Sequence, residues 1–314
     1  MGNMKKVLCW ILILLFIGSG CAKKEKEGLK IALIMKARSN PFFASMEDGA
    51  KKAADSLAVR LTVGALTQET EINKQISLIE NTIIQKVDAV LVAPADSRAI
   101  VNVLKKAQDK GIIVINLDNR IDLQTAKSAG LKIYSYIGVD NELGGKMAGD
   151  YLIKLMGGKG NTAMLEGIRG VDNAEARKRG FLKAIEEGTD VKLVASQSAN
   201  WAQDKGLDVF SNILQANPDI NGLFCANDMM ALGAIQAIEQ AKMTGKIFVT
   251  SYDNLNAAQE AIIAGKLHAT IEQHPEIMGY IGIVTAVDIL NGKEVPDEIL
   301  IPLELITKEK LLKK

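Results

Sequence analysis

Histidine is nearly absent from this 314-residue chain, which has His268 and His274 and no other. Neither stands beside a serine, cysteine or carboxylate cluster, so a catalytic triad or a zinc site has little to be built from. Cysteine is scarcer than a disulfide framework needs, the three being Cys9, Cys21 and Cys225. Charge of one sign is missing too. Lys and Arg number 38 against 37 Asp and Glu, which leaves no broad field to attract nucleic acid or an acidic surface. Neither G-x-G-x-x-G nor G-x-x-x-x-G-K-[ST] occurs, so phosphate cradles lack their motifs. The Gly-rich "GGKGN" at 157–161 lies between a helical stretch and a strand-like one, where a helix end and a turn account for it. No pair of carboxylates is singled out for glycoside cleavage. An enzyme is therefore the reading with the least to recommend it.

What is present starts with the N-terminus. "MGNMKK" is a short basic segment and "VLCWILILLFIG" an apolar one of secretory-signal length. It is shorter than the ~20 residues of an ordinary span. "GSGC" follows, and it resembles a bacterial lipobox, with Gly18 where Leu is commonest. On that reading Cys21 carries lipid, Cys9 leaves with the signal, and "AKKEKEG" is a charged tether. Cys225, in the apolar run "GLFCAN", is then left without a disulfide partner and is expected to be a small buried hydrophobe.

From residue 29 onward, short runs rich in Ile, Val and Leu alternate with segments of helical length. "KIALIM", "LTVGAL", "AVLVAP", "IIVINL", "YIGV", "TAMLEG", "KLVASQ", "GLFCAN" and "KIFVTSY" read as buried parallel strands. In the first helical segment Phe43, Met46, Ala50, Ala53 and Leu57 share one face. Such repetition implies an α/β fold with doubly wound parallel sheets. The strands are too many for one small sheet and fit two Rossmann-like lobes of about five or six strands each. "DLQTAKSAGLK" reads as a surface loop between the halves.

In such sheets ligands bind beyond the carboxyl ends of the strands. Those ends read "MKARSNPFF", "VAPADS", "NLDNR", "LEGIRGVDN", "SQSANW", "CAND" and "SYDN". Aromatics make up only 4% of the chain, yet Phe42, Phe43, Trp201 and Tyr252 all fall there. Structural duties compete for each residue. Asn40 is placed to cap the helix that Pro41 opens, and Asn227 to cap another. Asp118 and Asn119 make good turn chemistry. Asn173 and Arg177 share a helix face, where arginines are usually solvated. Trp201 could be an edge-of-core residue, and Tyr252 and Asp253 a strand end and a cap. Gln273 has no such local duty. Their shared chemistry points elsewhere: amides, carboxylates and one guanidinium around flat rings suit a small polyhydroxylated ligand.

These residues carry a resemblance. From about Leu29 to Leu305 the chain resembles the type 1 periplasmic sugar-binding proteins of ABC transporters, ribose-binding protein above all. "NPFFASMEDGAKKAAD", "VDAVLVAPADS", "VINLD", "LGGKMAGDYL", "ARKRGF", "NDMMALGAIQAI" and "GKLHATIEQHPE" follow in the family's order. The resemblance implies a ligand set of Asn40, Phe42, Phe43, Asp118, Asn119, Asn173, Arg177, Trp201, Asn227, Tyr252, Asp253 and Gln273. Asn119 departs from the Arg usual in ribose binders, and Asn173 stands where galactose/glucose binders have Asp; both amides favour a neutral ligand. It further implies a signal at 1–20, a tether at 21–28, one lobe of 29–137 plus 274–301, and another of 138–273 plus 302–314. Three crossings near "GVD", "EQHP" and "IPL" would form the hinge. A monomer is expected to close on a sugar or polyol and dock on a membrane permease, without cofactor, metal or nucleic acid. The same fold also serves sensors of autoinducer-2 or sugars that address a chemoreceptor or kinase. Repressor effector domains share it as well, but the signal stands where their DNA-binding headpiece would be.

Overall fold

The computed structural model describes residues 28–187 and 190–313. Residues 1–27, with the expected signal segment, Cys21 and nearly all of the tether, lie outside the described residues. The chain first lays down β1 (Lys30–Ala37), α1 (Pro41–Ser56), β2 (Arg60–Leu66), α2 (Ile72–Gln85) and β3 (Ala89–Val92). There follow α3 (Val101–Gln108), β4 (Ile113–Leu117), α4 (Leu123–Ala129) and β5 (Ser135–Gly138). A second series runs α5 (Asn141–Leu155), β6 (Lys159–Glu166), α6 (Asp172–Glu186), β7 (Asp190–Ser198) and α7 (Gln203–Ala216). It continues with β8 (Ile220–Cys225), α8 (Asp228–Gln240), β9 (Phe248–Thr250), α9 (Asn256–Ile263) and β10 (Ala269–Glu272). The chain ends with α10 (Pro275–Leu290), β11 (Glu298–Leu300), β12 (Glu304–Thr307) and α11 (Lys308–Leu311).

Among the described residues the strands form two six-stranded sheets, ordered β11-β5-β4-β3-β1-β2 and β12-β10-β9-β8-β6-β7. Every pairing is parallel except β12 against β10. The two-lobed α/β fold expected from the apolar runs is the fold observed. The central strands are mostly apolar because helices cover both of their faces: β3 is buried at every position. The chain passes between the sheets after β5, after β10 and after β11. The strands absent from the apolar runs are β10, β11 and β12, each three or four residues long and each carrying a glutamate that breaks the apolar pattern.

Two local expectations are corrected. The segment at 122–132 is not a plain loop, since it contains α4. Asp122 accepts from Thr125 N at 2.8 Å to cap that helix, and Gly130 ends it at a φ of +68°. Leu57 lies past the end of α1 and is exposed, so the buried face of that helix stops at Ala53 and Ala54. Cys225 is fully buried, as expected.

The second lobe places one helix with unusual closeness. Gly145 of α5 lies against the backbone of Arg177, and Gly180 of α6 against that of Glu142; a Cβ at either would collide with a carbonyl oxygen. Only glycine lets the two backbones approach so closely. This contact sets the height at which α6 presents Asn173 and Arg177.

Candidate functional site

The carboxyl ends of both sheets face one another across a cleft that closes on a small cavity of about 20 Å³. Lys36, Asn40, Phe42, Phe43, Glu69 and Asp118 line it from the first lobe. Asn173, Arg177, Trp201, Asn227, Asp253 and Gln273 line it from the second.

Arg177 organises its side of the wall. It donates through Nε to Asn141 Oδ1 at 2.8 Å, and through its terminal nitrogens to Ala226 O at 2.8 Å and Gln273 Oε1 at 3.1 Å. A carboxylate oxygen of Asp253 stands 3.7 Å away and accepts from Gln273 Nε2 at 2.6 Å. This is a fork held rigid by packing. Burial pushes the Asp253 carboxyl well above its ordinary range, against the pull of Arg177.

Lys36 does the same opposite. Its Nζ lies 3.6 Å from Glu69 and 3.7 Å from Asp118, and about 6 Å from the ring centres of Phe43 (6.0 Å) and Trp201 (5.9 Å). Burial raises the Glu69 carboxyl, with Lys36 opposing. Two cations thus face three carboxylates, Glu69, Asp118 and Asp253, and two of those carboxyls are shifted toward the neutral form.

The aromatic walls are flat and fixed. Phe42 and Phe43 meet edge to face at 5.1 Å and are both nearly inaccessible. Trp201 carries a φ of +64° directly after Asn200 at +50°, a backbone conformation rare for a bulky residue. Asn227 holds it there by donating to Trp201 O at 3.2 Å. Asp118 and Asp253 also have positive φ, +58° and +119°. Backbone strain of this kind gathers at sites where position matters.

Ten of the twelve residues expected from the sequence line the cavity. Some also perform the structural duties weighed against them: Asn40 Oδ1 caps α1 at Phe42 N, and Asn227 Oδ1 caps α8 at Met230 N. The other two, Asn119 and Tyr252, stand one layer behind. Asn119 Nδ2 donates to Pro94 O at 3.0 Å and its Oδ1 accepts from Asn173 N at 3.2 Å, so both ends of the amide are occupied away from the cavity. Tyr252 lies beneath the Arg177 guanidinium, 3.7 Å from it, and burial raises its phenol. Lys36 and Glu69 were not foreseen. Lys36 follows the five apolar residues Ile31 to Met35 near the end of β1, a cation where the run is otherwise apolar; Glu69 follows β2, whose carboxyl end lies on the same side.

Among the described residues no cluster of His, Cys, Asp and Glu could hold a metal ion, and no helix is long and apolar enough to cross a membrane. A cleft between two lobes, walled by rings and paired charges, defines a binding protein. The chain belongs to the periplasmic binding protein family: the family's domain matches residues 31–294. The D-ribose/D-allose-binding protein of Pseudomonas aeruginosa is 38% identical over 287 residues, 90% of this chain and 89% of that one. The D-allose-binding periplasmic protein of Escherichia coli is 35% identical over 267 residues, 84% and 86% of the two chains. The structure of an ABC transporter periplasmic solute-binding protein from Actinobacillus succinogenes, with bound D-allose, superposes with a TM-score of 0.87 at 44% identity, covering 91% of this chain and all of that one. These relatives are binding proteins of importers, not enzymes.

Proposed function

We propose that this protein is an extracytoplasmic solute-binding lipoprotein, anchored through Cys21, that captures a small neutral sugar or polyol and delivers it to an ABC permease. The observation that carries this reading is the polar inventory of the cavity. Asn173 Oδ1 and Trp201 Nε1, both buried on its wall, have no hydrogen-bond partner among the described residues. A buried acceptor and a buried donor left unpaired cost ~1–3 kcal/mol each unless a ligand meets them. A hydroxyl, which donates and accepts at once, serves either. Phe42, Phe43 and Trp201 offer apolar faces to the C–H faces of a sugar ring. The cations are already matched by carboxylates, which disfavours an anionic ligand. D-Allose and D-ribose head the candidates, because they are the sugars for which the similar proteins are named.

Capture would follow from geometry. Each lobe supplies half of the wall, so a ligand touching both halves binds the closed form best and shifts the population toward it. The lobes on this reading are residues 29–137 plus 274–301, and 138–273 plus 302–314. A thermal-shift screen of the chain from Lys23 onward against pentoses, hexoses and polyols tests the proposal. One small sugar should raise the melting temperature by mass action, and Asp253→Ala should abolish the rise. No shift with any of them would sink it.

A further inference from the structure

Helix α6 has no cap of its own. Its N-cap is Val171, whose side chain offers no acceptor, yet the first-turn amides of every helix need partners. Two of them are met from the other lobe. Asp172 N donates to Ser97 Oγ at 3.1 Å, and Asn173 N donates to Asn119 Oδ1 at 3.2 Å. Ser97 and Asn119 follow the adjacent strands β3 and β4, and Asn119 Nδ2 reaches Ser97 Oγ at 3.4 Å, so the two form one clip. The clip is itself braced. Ser97 O accepts from Asp122 N at 2.8 Å, and Asn116 Nδ2 donates to Asn119 O at 2.8 Å. Both residues are nearly inaccessible, at 4% and 0% exposure; the Asn119 bond is fully buried and the Ser97 bond partly so.

We infer that Ser97 and Asn119 are a latch between the lobes, capping α6 across the cleft only when it is closed. This rests on the sugar-capture reading for its purpose, though not for its geometry. When the cleft opens, the first-turn amides of α6 lose both acceptors and no side chain of α6 replaces them. The latch therefore favours closure by the same amount whichever ligand is inside. Asn119 is thus a positioning residue rather than a ligand contact. The apparent affinity of a binding protein scales with the fraction of molecules able to close, so weakening the latch divides every affinity by a common factor.

The test uses the full chain in detergent, with D-allose and D-ribose as probes, and Asn119→Ala, Ser97→Ala and Ser97→Thr as variants. Hydrogen exchange of the amides of Asp172 and Asn173 is followed without and with sugar. Each alanine variant should speed exchange at those amides and weaken both sugars by the same roughly two- to tenfold, the worth of one hydrogen bond. Ser97→Thr, which keeps the hydroxyl, should behave as wild type. A change in the ratio of the two affinities would make Asn119 a ligand contact and overturn the latch, as would unchanged exchange at the two amides. Ser97→Ala removes one hydroxyl and decides the matter if Asn119→Ala does not fold. If neither sugar binds wild type, the choice of sugar fails on its own, and the exchange comparison is made with whichever hexose, pentose or polyol of the thermal-shift screen raises the melting temperature.

Discussion

The guanidinium of Arg177 lies over the ring of Tyr252, its central carbon 3.7 Å from the ring centre, and the Tyr252 hydroxyl has no hydrogen-bond partner among the described residues. The ring is what matters in this pair; the hydroxyl is a small burden. Tyr252→Phe should therefore bind sugar as wild type does and melt at the same temperature or slightly higher, since an unpaired buried hydroxyl is removed. Tyr252→Ala should weaken binding by tenfold or more, because Arg177 loses the platform that aims its fork. Calorimetric titration of the two variants separates a support from a contact. Equal loss of binding in Tyr252→Phe would make the phenol a ligand group.

Trp201 rests on a residue with no side chain. Gly167 lies so close to the indole that a Cβ there would collide with its six-membered ring. Gly167→Ala should tilt the ring away from its place in the cavity wall and cost a factor of about 30 in affinity, comparable to losing a buried aromatic anchor. Trp201→Ala should cost at least as much. Both variants should stay folded, which far-ultraviolet circular dichroism would verify. A Gly167→Ala protein with unchanged affinity would show that Trp201 is core alone.

The fold was legible because central parallel strands are buried on both faces and so write themselves as nearly continuous apolar runs, as β3 does throughout and β4 does apart from Asn116. The candidate site was legible for a related reason: the polar and aromatic residues gathered at the carboxyl ends of such runs share a chemistry that their separate structural duties do not call for. What the sequence could not show is which of two neighbours faces the cleft. Asp118 and Asn119 are adjacent, yet the left-handed backbone at Asp118 sends one side chain into the cavity wall and the other behind it. Tyr252 and Asp253 divide in the same way. Lys36 escaped notice because its long apolar stem sits inside a buried strand and only its tip shows chemistry. Glu69 escaped because its partner, Lys36, is distant in sequence.

Lys36 is held between Glu69 and Asp118 at 3.6 and 3.7 Å, with 2% of its side chain exposed. Removing it would leave two buried carboxyls facing each other. Lys36→Met should cost ~3–5 kcal/mol of stability, the usual penalty for breaking a buried pair from one side. Lys36→Met with Glu69→Gln should recover much of that loss, since the second change removes one of the stranded charges. Urea unfolding of the single and double variants measures the coupling. Simple additivity would show that Lys36 and Glu69 do not interact.

Asp228 supplies the pH dependence that can be checked most cleanly. It is fully buried at the start of α8, and it accepts from Ser251 Oγ, from Thr270 Oγ1 at 2.8 Å and from Leu255 N at 2.8 Å. Those donors favour the carboxylate, but burial outweighs them and pushes the group up to about 7. An unfolded aspartate titrates near ~3.9, so the folded state takes up this proton the more readily. The stabilisation from Asp228 is then complete below pH ~4, declines as pH rises from ~4 to ~7, and is absent above that. Asp228→Asn removes the titration but keeps the shape. The stability difference between wild type and Asp228→Asn should favour wild type by about 2–3 kcal/mol more at pH 5 than at pH 8. Urea unfolding of both proteins across that range reads it directly. Parallel curves would mean that the three donors hold Asp228 ionised, and that burial does not govern its charge.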